Sequence, residues 1–555
     1  MTGPAFPLLT SWSSSAGGGV VTGPALLAGA DGATGLAIEL LFALLLAATF
    51  LAVVARKLGI PYPILLVLGG LAIGFIPNLP TFELAPDLVF LLFLPPILFA
   101  AGYFTSIREL KAFRRPILLL AIGLVTFTTF VVGGVTKALV PEMPWAAAFA
   151  LGAIVAPPDA AAATTIFQRL GVPRRTVTIL EGESLLNDAT ALVLYRLAIL
   201  AAGGTAVSIV DAGQTFVVAA FGGIAIGIVV GWLTTKAVSR VDDPVFSIVV
   251  TFLAPLAAYL PAAQFELSGV LASVVAGIYV GRDAPRLMSS AVRVSGVAAW
   301  QILLFLINGT VFILLGLQLP QILEGLGEFS PGRLIGLAVA VALTTILTRL
   351  VWVYPAAYLP RRFNAGIREH EPRPTERNVF IVGWAGMRGV VSLAAALALP
   401  IDFPERNLVI FLTFAVILAT LVGQGLTLPL IIRALGIDDG GNTGQEEAYA
   451  RYVASEAAIA RLEELAVQWP GHLELIDRLK AQYEDRTRHA VVAKHPEQRD
   501  EAAEQELIEH RQIRMAVLGA EREALLTLRE RGAIADEVHR IVERDLDLEE
   551  LRMEV

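Results

Sequence analysis

Long apolar runs constrain this chain more than any other feature in it. A helix of roughly 17 to 25 apolar residues matches the hydrocarbon thickness of a bilayer. About thirteen such runs can be read, near residues 34–55, 60–77, 86–105, 115–138, 145–168, 176–202, 213–238, 244–261, 266–281, 295–320, 333–359, 377–399 and 406–434. In lipid every backbone N–H and C=O needs an internal partner, so runs of this length are predicted to be helices. Composition agrees: the 555 residues are 55% hydrophobic and only 17% charged, with a mean hydropathy of +0.68, too apolar for an ordinary soluble protein. The predicted fold class is an all-α polytopic membrane protein with the lipid bilayer as its main partner.

The basic residues give an orientation, because Lys and Arg collect in cytoplasmic loops. Alternate connections carry Arg56 and Lys57; Arg108, Lys111, Arg114 and Arg115; Arg169, Arg174 and Arg175; Lys236 and Arg240; Arg282, Arg286 and Arg293; and Arg361, Arg362, Arg368, Arg373 and Arg377. The intervening loops hold little beyond Lys137, Arg333 and Arg406. An odd number of spans then leaves the N-terminus outside and the C-terminus in the cytoplasm, in a plasma membrane protein. The first thirty residues contain no Lys or Arg, unlike the basic start of a cleavable signal peptide, so the first span is expected to serve as its own insertion signal. Four regions are predicted: an extracytoplasmic segment 1–33, a transmembrane domain 34–435, a polar Gly-rich linker 436–448, and a cytoplasmic helical domain 449–555, where charges become dense and apolar residues fall at helical spacing. The tail reads chiefly as a solvated bundle, with pH or partner regulation as the sharper alternative.

Chemistry is narrowed by what is missing. There is no cysteine, which removes disulfides, thiolate metal sites and thiol nucleophiles. All six histidines lie outside the apolar runs. Protons handled within the membrane must therefore ride on carboxylates.

Ionisable residues within spans are costly, by roughly 2.5 to 3.5 kcal/mol on insertion scales, and each calls for a partner or a function. Asp159, Glu183, Asp188, Arg349 and Arg388 are the informative ones. The predicted spans put Asp159, Asp188 and Arg388 near one depth, although they come from three separate segments. In ILEGESLLNDATALVLYR, residues 179–196, Ser184 and Asp188 share one helical face, and Glu183 and Asn187 form the neighbouring stripe. Pro157 and Pro158 interrupt APPDAAAA, removing donors from the fifth span. Three glycines, Gly383, Gly386 and Gly389, surround Arg388 in the twelfth. Both spans are predicted to be unwound, the pattern that marks a transporter binding site where repeats meet. Asp159, Ser184, Asp188 and a freed carbonyl could supply the oxygen ligands that a hard cation such as Na⁺ requires. Two carboxylates in one site of low dielectric cannot both ionise freely, so Na⁺ and H⁺ would compete for the same oxygens. Glu183 with Arg388 reads as an ion pair, Asn187 as an orienter of loose backbone, and Arg349 as a residue that snorkels or caps a broken helix.

Having reached GESLLND at 182–188, the chain resembles the monovalent cation:proton antiporter-1 family, the sodium/proton exchangers of NhaP and NHE type. LPPILFAAGYF (94–104), APPDAAAA (156–163) and GMRGVVSLAAALALP (386–400) extend the likeness in the family's order. The resemblance implies a fold of thirteen transmembrane helices in inverted repeats, with crossing unwound helices as in NhaP and NhaA, and a homodimer. It makes Asp188 the ion and proton carrier, with Asn187 before it as in the electroneutral exchangers. Asp159 and Ser184 become further cation ligands, so that Na⁺ sits at Asp159, Ser184 and Asp188. Glu183 and Arg388 become the interhelical pair that supports the site, beside Pro158 of the break. Where the family has Thr-Asp-Pro, this chain has Pro158, Asp159 and Ala160, which removes a threonine ligand; Thr164 and Thr165 are weak substitutes.

The expected function is secondary exchange of Na⁺, or Li⁺ or K⁺, for H⁺ by alternating access, electroneutral, with no enzyme activity and no cofactor. K⁺/H⁺ exchange and cation-coupled transport of an organic solute are the alternatives. An intramembrane aspartyl protease fits poorly, since no Gly-x-Gly-Asp surrounds Asp159 or Asp188. No nucleotide-binding glycine loop is present, and no nucleic-acid partner is expected.

Overall fold

In a computed structural model the chain is described over residues 25–77, 89–204, 209–241, 243–327, 329–370, 373–437, 442–494 and 501–554. Most of the predicted extracytoplasmic segment, and residues 438–441 of the predicted linker, lie outside them. Two compact units are present, Met1–Asp438 and Asp439–Val555.

The regular elements of the first unit are all helices among its described residues. Its main helices are α1 (Ala25–Leu58), α2 (Tyr62–Gly74), α3 (Leu94–Phe104), α4 (Val125–Leu139), α5 (Trp145–Val155), α6 (Ala160–Leu170), α7 (Arg174–Ala202), α8 (Ile209–Val238), α9 (Pro244–Gln264), α10 (Gly269–Leu287), α11 (Ser290–Leu317), α12 (Pro331–Phe363), α13 (Glu376–Trp384), α14 (Val390–Leu397), α15 (Arg406–Leu418) and α16 (Gly425–Leu435). Eight helical segments among the described residues are long and apolar enough to cross a membrane, and Tyr62–Gly74 and Val89–Phe104 are shorter apolar helices. The chain is a multi-pass membrane protein.

Local sequence explains where these helices start and stop. Asp243 caps α9 by accepting from Phe246 N at 2.7 Å, with Pro244 in the first turn. Ser268 caps α10 through Leu271 N, and Thr375 caps α13 through Asn378 N. Such caps satisfy donors that a helix leaves orphaned at its N-terminus.

With lipid outside, helices in a membrane gain little from hydrophobic burial against one another and rely on close packing of small residues. Gly277 and Gly281 of α10 show this: a Cβ on either would run into the backbone of α3 at Phe99 or Tyr103. The outward faces carry the opposite chemistry. Phe42, Phe50, Phe221, Val245, Ile302, Ile335 and Val351 are all exposed, a belt too extensive for water and suited to acyl chains.

Two spans are broken, as the prolines and glycines predict. Between α5 and α6 the chain unwinds over residues 156–159, and between α13 and α14 over 385–389. The breaks bond directly to each other: Asp159 N donates to Met387 O at 2.7 Å. Helices α5, α7, α12, α14 and α15 pack around this crossing.

The second unit contains α17 (Asn442–Gln468), α18 (Leu473–Lys494), α19 (Glu501–Glu530) and α20 (Asp536–Glu554). Helix α17 packs on α18 and α19 on α20, with Leu462, Ile476, Leu518 and Leu546 buried. Partly exposed ion pairs lace the pairs together, including Lys480 with Glu463 at 2.7 Å and Arg522 with Glu550 at 2.5 Å.

Candidate functional site

The crossing of the two breaks determines what each side chain near it can do. An unwound segment strands carbonyl groups in a region without water, and each needs a donor. Three side chains supply them. Asn187 Nδ2 donates to Pro158 O at 2.9 Å, and Arg388 Nε donates to Val155 O at 3.0 Å. Arg349, from the unbroken helix α12, donates through Nε and Nη2 to Val382 O at 3.2 and 3.0 Å.

The expected Glu183–Arg388 pair is not formed, and this corrects the sequence reading. Glu183 is instead gripped bidentately by Arg349, with Nη1–Oε1 at 2.5 Å and Nη2–Oε2 at 2.8 Å, and both side chains have 0% exposure. The reason lies in the backbone. Arg388 sits within the unwound stretch, so its guanidinium turns onto the nearest orphan carbonyls, Val155 O and Gly386 O. Its own N–H donates to Thr420 Oγ1 at 3.1 Å. Thr420 belongs to a π-helical turn, Ala419–Gln424, in the last span. The stem of Arg349 passes Gly386, where an added Cβ would collide with its Cδ, and that passage lets the guanidinium reach Glu183. Sequence reasoning had the signal, an arginine in mid-span, and its reading of Arg349 as the cap of a broken helix matches the Val382 bonds.

Asp159 is the N-cap of α6, and its Oδ1 accepts from Ala161 N at 2.8 Å. The carboxylate lies over Gly389, where a Cβ would fall 2.8 Å from Asp159 Cγ. Ser184 Oγ, on α7, accepts a long bond of 3.4 Å from Ala160 N. Asp159 and Ser184 therefore meet at the start of α6. Thr164 and Thr165 donate to Ala161 O at 3.2 and 2.9 Å, so those hydroxyls close on their own helix rather than replace the absent threonine.

Asp188 is different in kind. It is 8% exposed and makes no hydrogen bond or ion pair to any described residue. It borders a small cavity with Pro157, Tyr195 and Ser392, and the Tyr195 hydroxyl is buried without a partner among the described residues. Asp188 lies one turn along α7 from Ser184, whose hydroxyl meets Ala160 N next to Asp159. A desolvated carboxylate with no protein partner is costly and would be stabilised by either a bound cation or a proton. No cluster of three or more His, Cys, Asp or Glu occurs among the described residues, so any cation here depends on two carboxylates, hydroxyls and carbonyls, an oxygen set suited to a hard ion.

Comparison with known proteins points the same way. A family model described as the transmembrane sodium/hydrogen exchanger matches residues 41–434. An uncharacterized Na(+)/H(+) exchanger of Mycobacterium tuberculosis is 35% identical over 501 residues, covering 88% of this chain and 91% of the relative. The sodium, potassium, lithium and rubidium/H(+) antiporter of Bacillus subtilis is 32% identical over 502 residues, covering 87% and 73%. Among solved structures, the sodium proton antiporter MjNhaP1 from Methanocaldococcus jannaschii at pH 8 superposes with a TM-score of 0.58 at 22% identity, over 72% of this chain and 99% of that one. That last likeness concerns the fold.

Proposed function

Since the chain belongs to the sodium/hydrogen exchanger family and is a cation:proton antiporter, a secondary transporter rather than an enzyme, we propose that its exchange runs through Asp188 and Asp159. The observation that carries this reading is Asp188 itself, buried, without a partner among the described residues, and beside two crossed helix breaks. Na⁺ binds there with Asp159 and Ser184, a proton binds in its absence, and the site is presented to the two faces alternately. One cation exchanges for one proton, so turnover is electroneutral. Li⁺ and K⁺ compete for the same oxygens, in keeping with the multi-cation antiporter of Bacillus subtilis among the relatives.

Glu183, Arg349, Asn187 and Arg388 hold the broken backbone in place and do not bind the ion. Thirteen crossings, the N-terminus outside and the C-terminus cytoplasmic, complete the topology in the plasma membrane. The transmembrane domain spans 34–435, joined by a linker at 436–448 to a helical tail at 449–555, and two copies form a homodimer. Antiport requires no cofactor.

The test is direct. Purified protein in vesicles with a preset pH gradient and a clamped membrane potential receives Na⁺, Li⁺ or K⁺ in turn. Collapse of the gradient that depends on the cation and is unchanged by the clamp is expected. Collapse that the clamp alters would refute electroneutrality, and silence with all three ions would refute the ion assignment.

A further inference from the structure

A second cavity, of about 680 Å³, lies beside α6, and three arginines stand around it: Arg56, Arg169 and Arg433. Each occupies the last turn of a helix, of α1, α6 and α16 respectively. Each helix is followed by a left-handed glycine, Gly59, Gly171 and Gly436, with φ of 72°, 64° and 59°. Three helix C-termini thus converge on one space. Arg169 reaches across to α1, where a Cβ on Gly59 would touch its Nη2 at 3.5 Å. All three arginines are exposed, and none has a carboxylate within ion-pair distance among the described residues. The wall between them is apolar, with Val53, Ile60 and Phe305.

The plainer explanation is that these arginines offset helix dipoles. Each C-terminus carries about −0.5 of a charge, so three offset only about half of the three positive charges. The excess faces a cavity lined by Thr165, Ile166, Arg169 and Leu170 of α6, the helix that Asp159 caps, and would repel a cation approaching Asp159 from this end of the helix. Repelling the transported ion is a poor arrangement unless an anion occupies the mouth.

We propose that this cavity binds an anionic phospholipid, its phosphate held by Arg56, Arg169 and Arg433 and its chain laid on the apolar wall. Guanidinium forks match phosphate oxygens. Basic pockets between membrane helices, at the ends where positive loops collect, are suited to lipid headgroups, and a free phosphate would have no use for Val53, Ile60 and Phe305. The bound headgroup neutralises the mouth, so a cation is captured from this side at lower concentration. That effect on capture rests on the exchange reading above; the binding does not.

The experiment has a binding arm and a transport arm. Native mass spectrometry of the full-length protein, titrated with phosphatidylglycerol against phosphatidylcholine, should show retention of phosphatidylglycerol. Affinity should fall about fivefold for each arginine changed to Gln and survive largely in Arg169→Lys, which keeps the charge. Thermal melting identifies any variant that fails to fold, and the single Gln variants then carry the test. In phosphatidylcholine vesicles, adding phosphatidylglycerol should lower the apparent KM for Na⁺ of the native protein but not of the triple Gln variant. Equal retention by native and triple-Gln protein would overturn the proposal. Arginine-dependent binding of inorganic phosphate without lipid retention would make the occupant a soluble anion and overturn the lipid assignment. Lipid retention with no transport would leave the site standing and sink the exchange reading instead.

Discussion

Replacing Glu183 with Gln should destabilise the protein as much as any single change at the crossing, short of disrupting a helix. The change leaves the Arg349 guanidinium as an uncompensated charge at a position with 0% exposure. Breaking a buried pair by removing one partner costs about 3–5 kcal/mol, a factor of about two to three and a half powers of ten in an equilibrium constant. Arg349→Met is equally severe, because it strands the Glu183 carboxylate and also frees Val382 O. Removing both charges as Glu183→Gln with Arg349→Met leaves neutral groups unpaired, that carbonyl among them, at about 1–3 kcal/mol each, but no uncompensated buried charge. The double variant should therefore melt well above either single one, with a coupling of several kcal/mol in a double-mutant cycle. The assay is tryptophan-detected melting of purified protein in detergent for the four members of the cycle. Arg388 serves as the control: Arg388→Met should show little coupling to Glu183, since Arg388 serves carbonyls. Additive effects of the Glu183 and Arg349 changes, or strong coupling of Glu183 to Arg388 in place of Arg349, would refute the pairing.

Further expectations follow from the same geometry. Gly389→Ala should abolish exchange in vesicles while the protein still inserts and purifies, because the new Cβ meets the Asp159 carboxylate; transport at the native rate would show that Asp159 has room to move. Asn187→Ala should cost about 1–3 kcal/mol by leaving Pro158 O without its donor, read as a lowered melting temperature with exchange reduced in parallel. Thr420→Val should do the same through Arg388 N, and Thr420→Ser, which keeps the oxygen, should restore both; failure of Ser to rescue would remove the hydroxyl from the account.

Much of this arrangement is legible in the sequence, for physical reasons that differ between elements. Pro157 and Pro158 cannot donate, so the break before α6 is written in the chain itself. Gly383, Gly386 and Gly389 likewise announce the break before α14. Asp159, Ser184 and Asp188 stand out because an ionisable or hydroxylic group in an apolar run needs a reason to be there. The arginine pairing was not legible. Glu183 could reach either Arg349 or Arg388 as far as depth and spacing show. What decides is which guanidinium the orphan carbonyls claim first, and that depends on where the two breaks cross. The π-helical turn that places Thr420 against Arg388 leaves no recognisable mark in ATLVGQ, since a one-residue widening of a helix needs neither Pro nor Gly. The convergence of Arg56, Arg169 and Arg433 was hidden for a similar reason: each reads alone as an ordinary basic residue at a helix end.

Asp188 offers the most direct test of the central claim, because its role in transport separates cleanly from any role in stability. It accepts no hydrogen bond and joins no ion pair among the described residues, so Asp188→Asn removes a desolvated carboxylate and strands no partner. Cation-driven collapse of a pH gradient and the melting temperature should be measured on the same preparations of native and Asp188→Asn protein. The account predicts that exchange is lost with every alkali cation while the melting temperature holds or rises. Exchange that survives in the variant, or a loss of exchange that merely follows a fall in melting temperature, would contradict it.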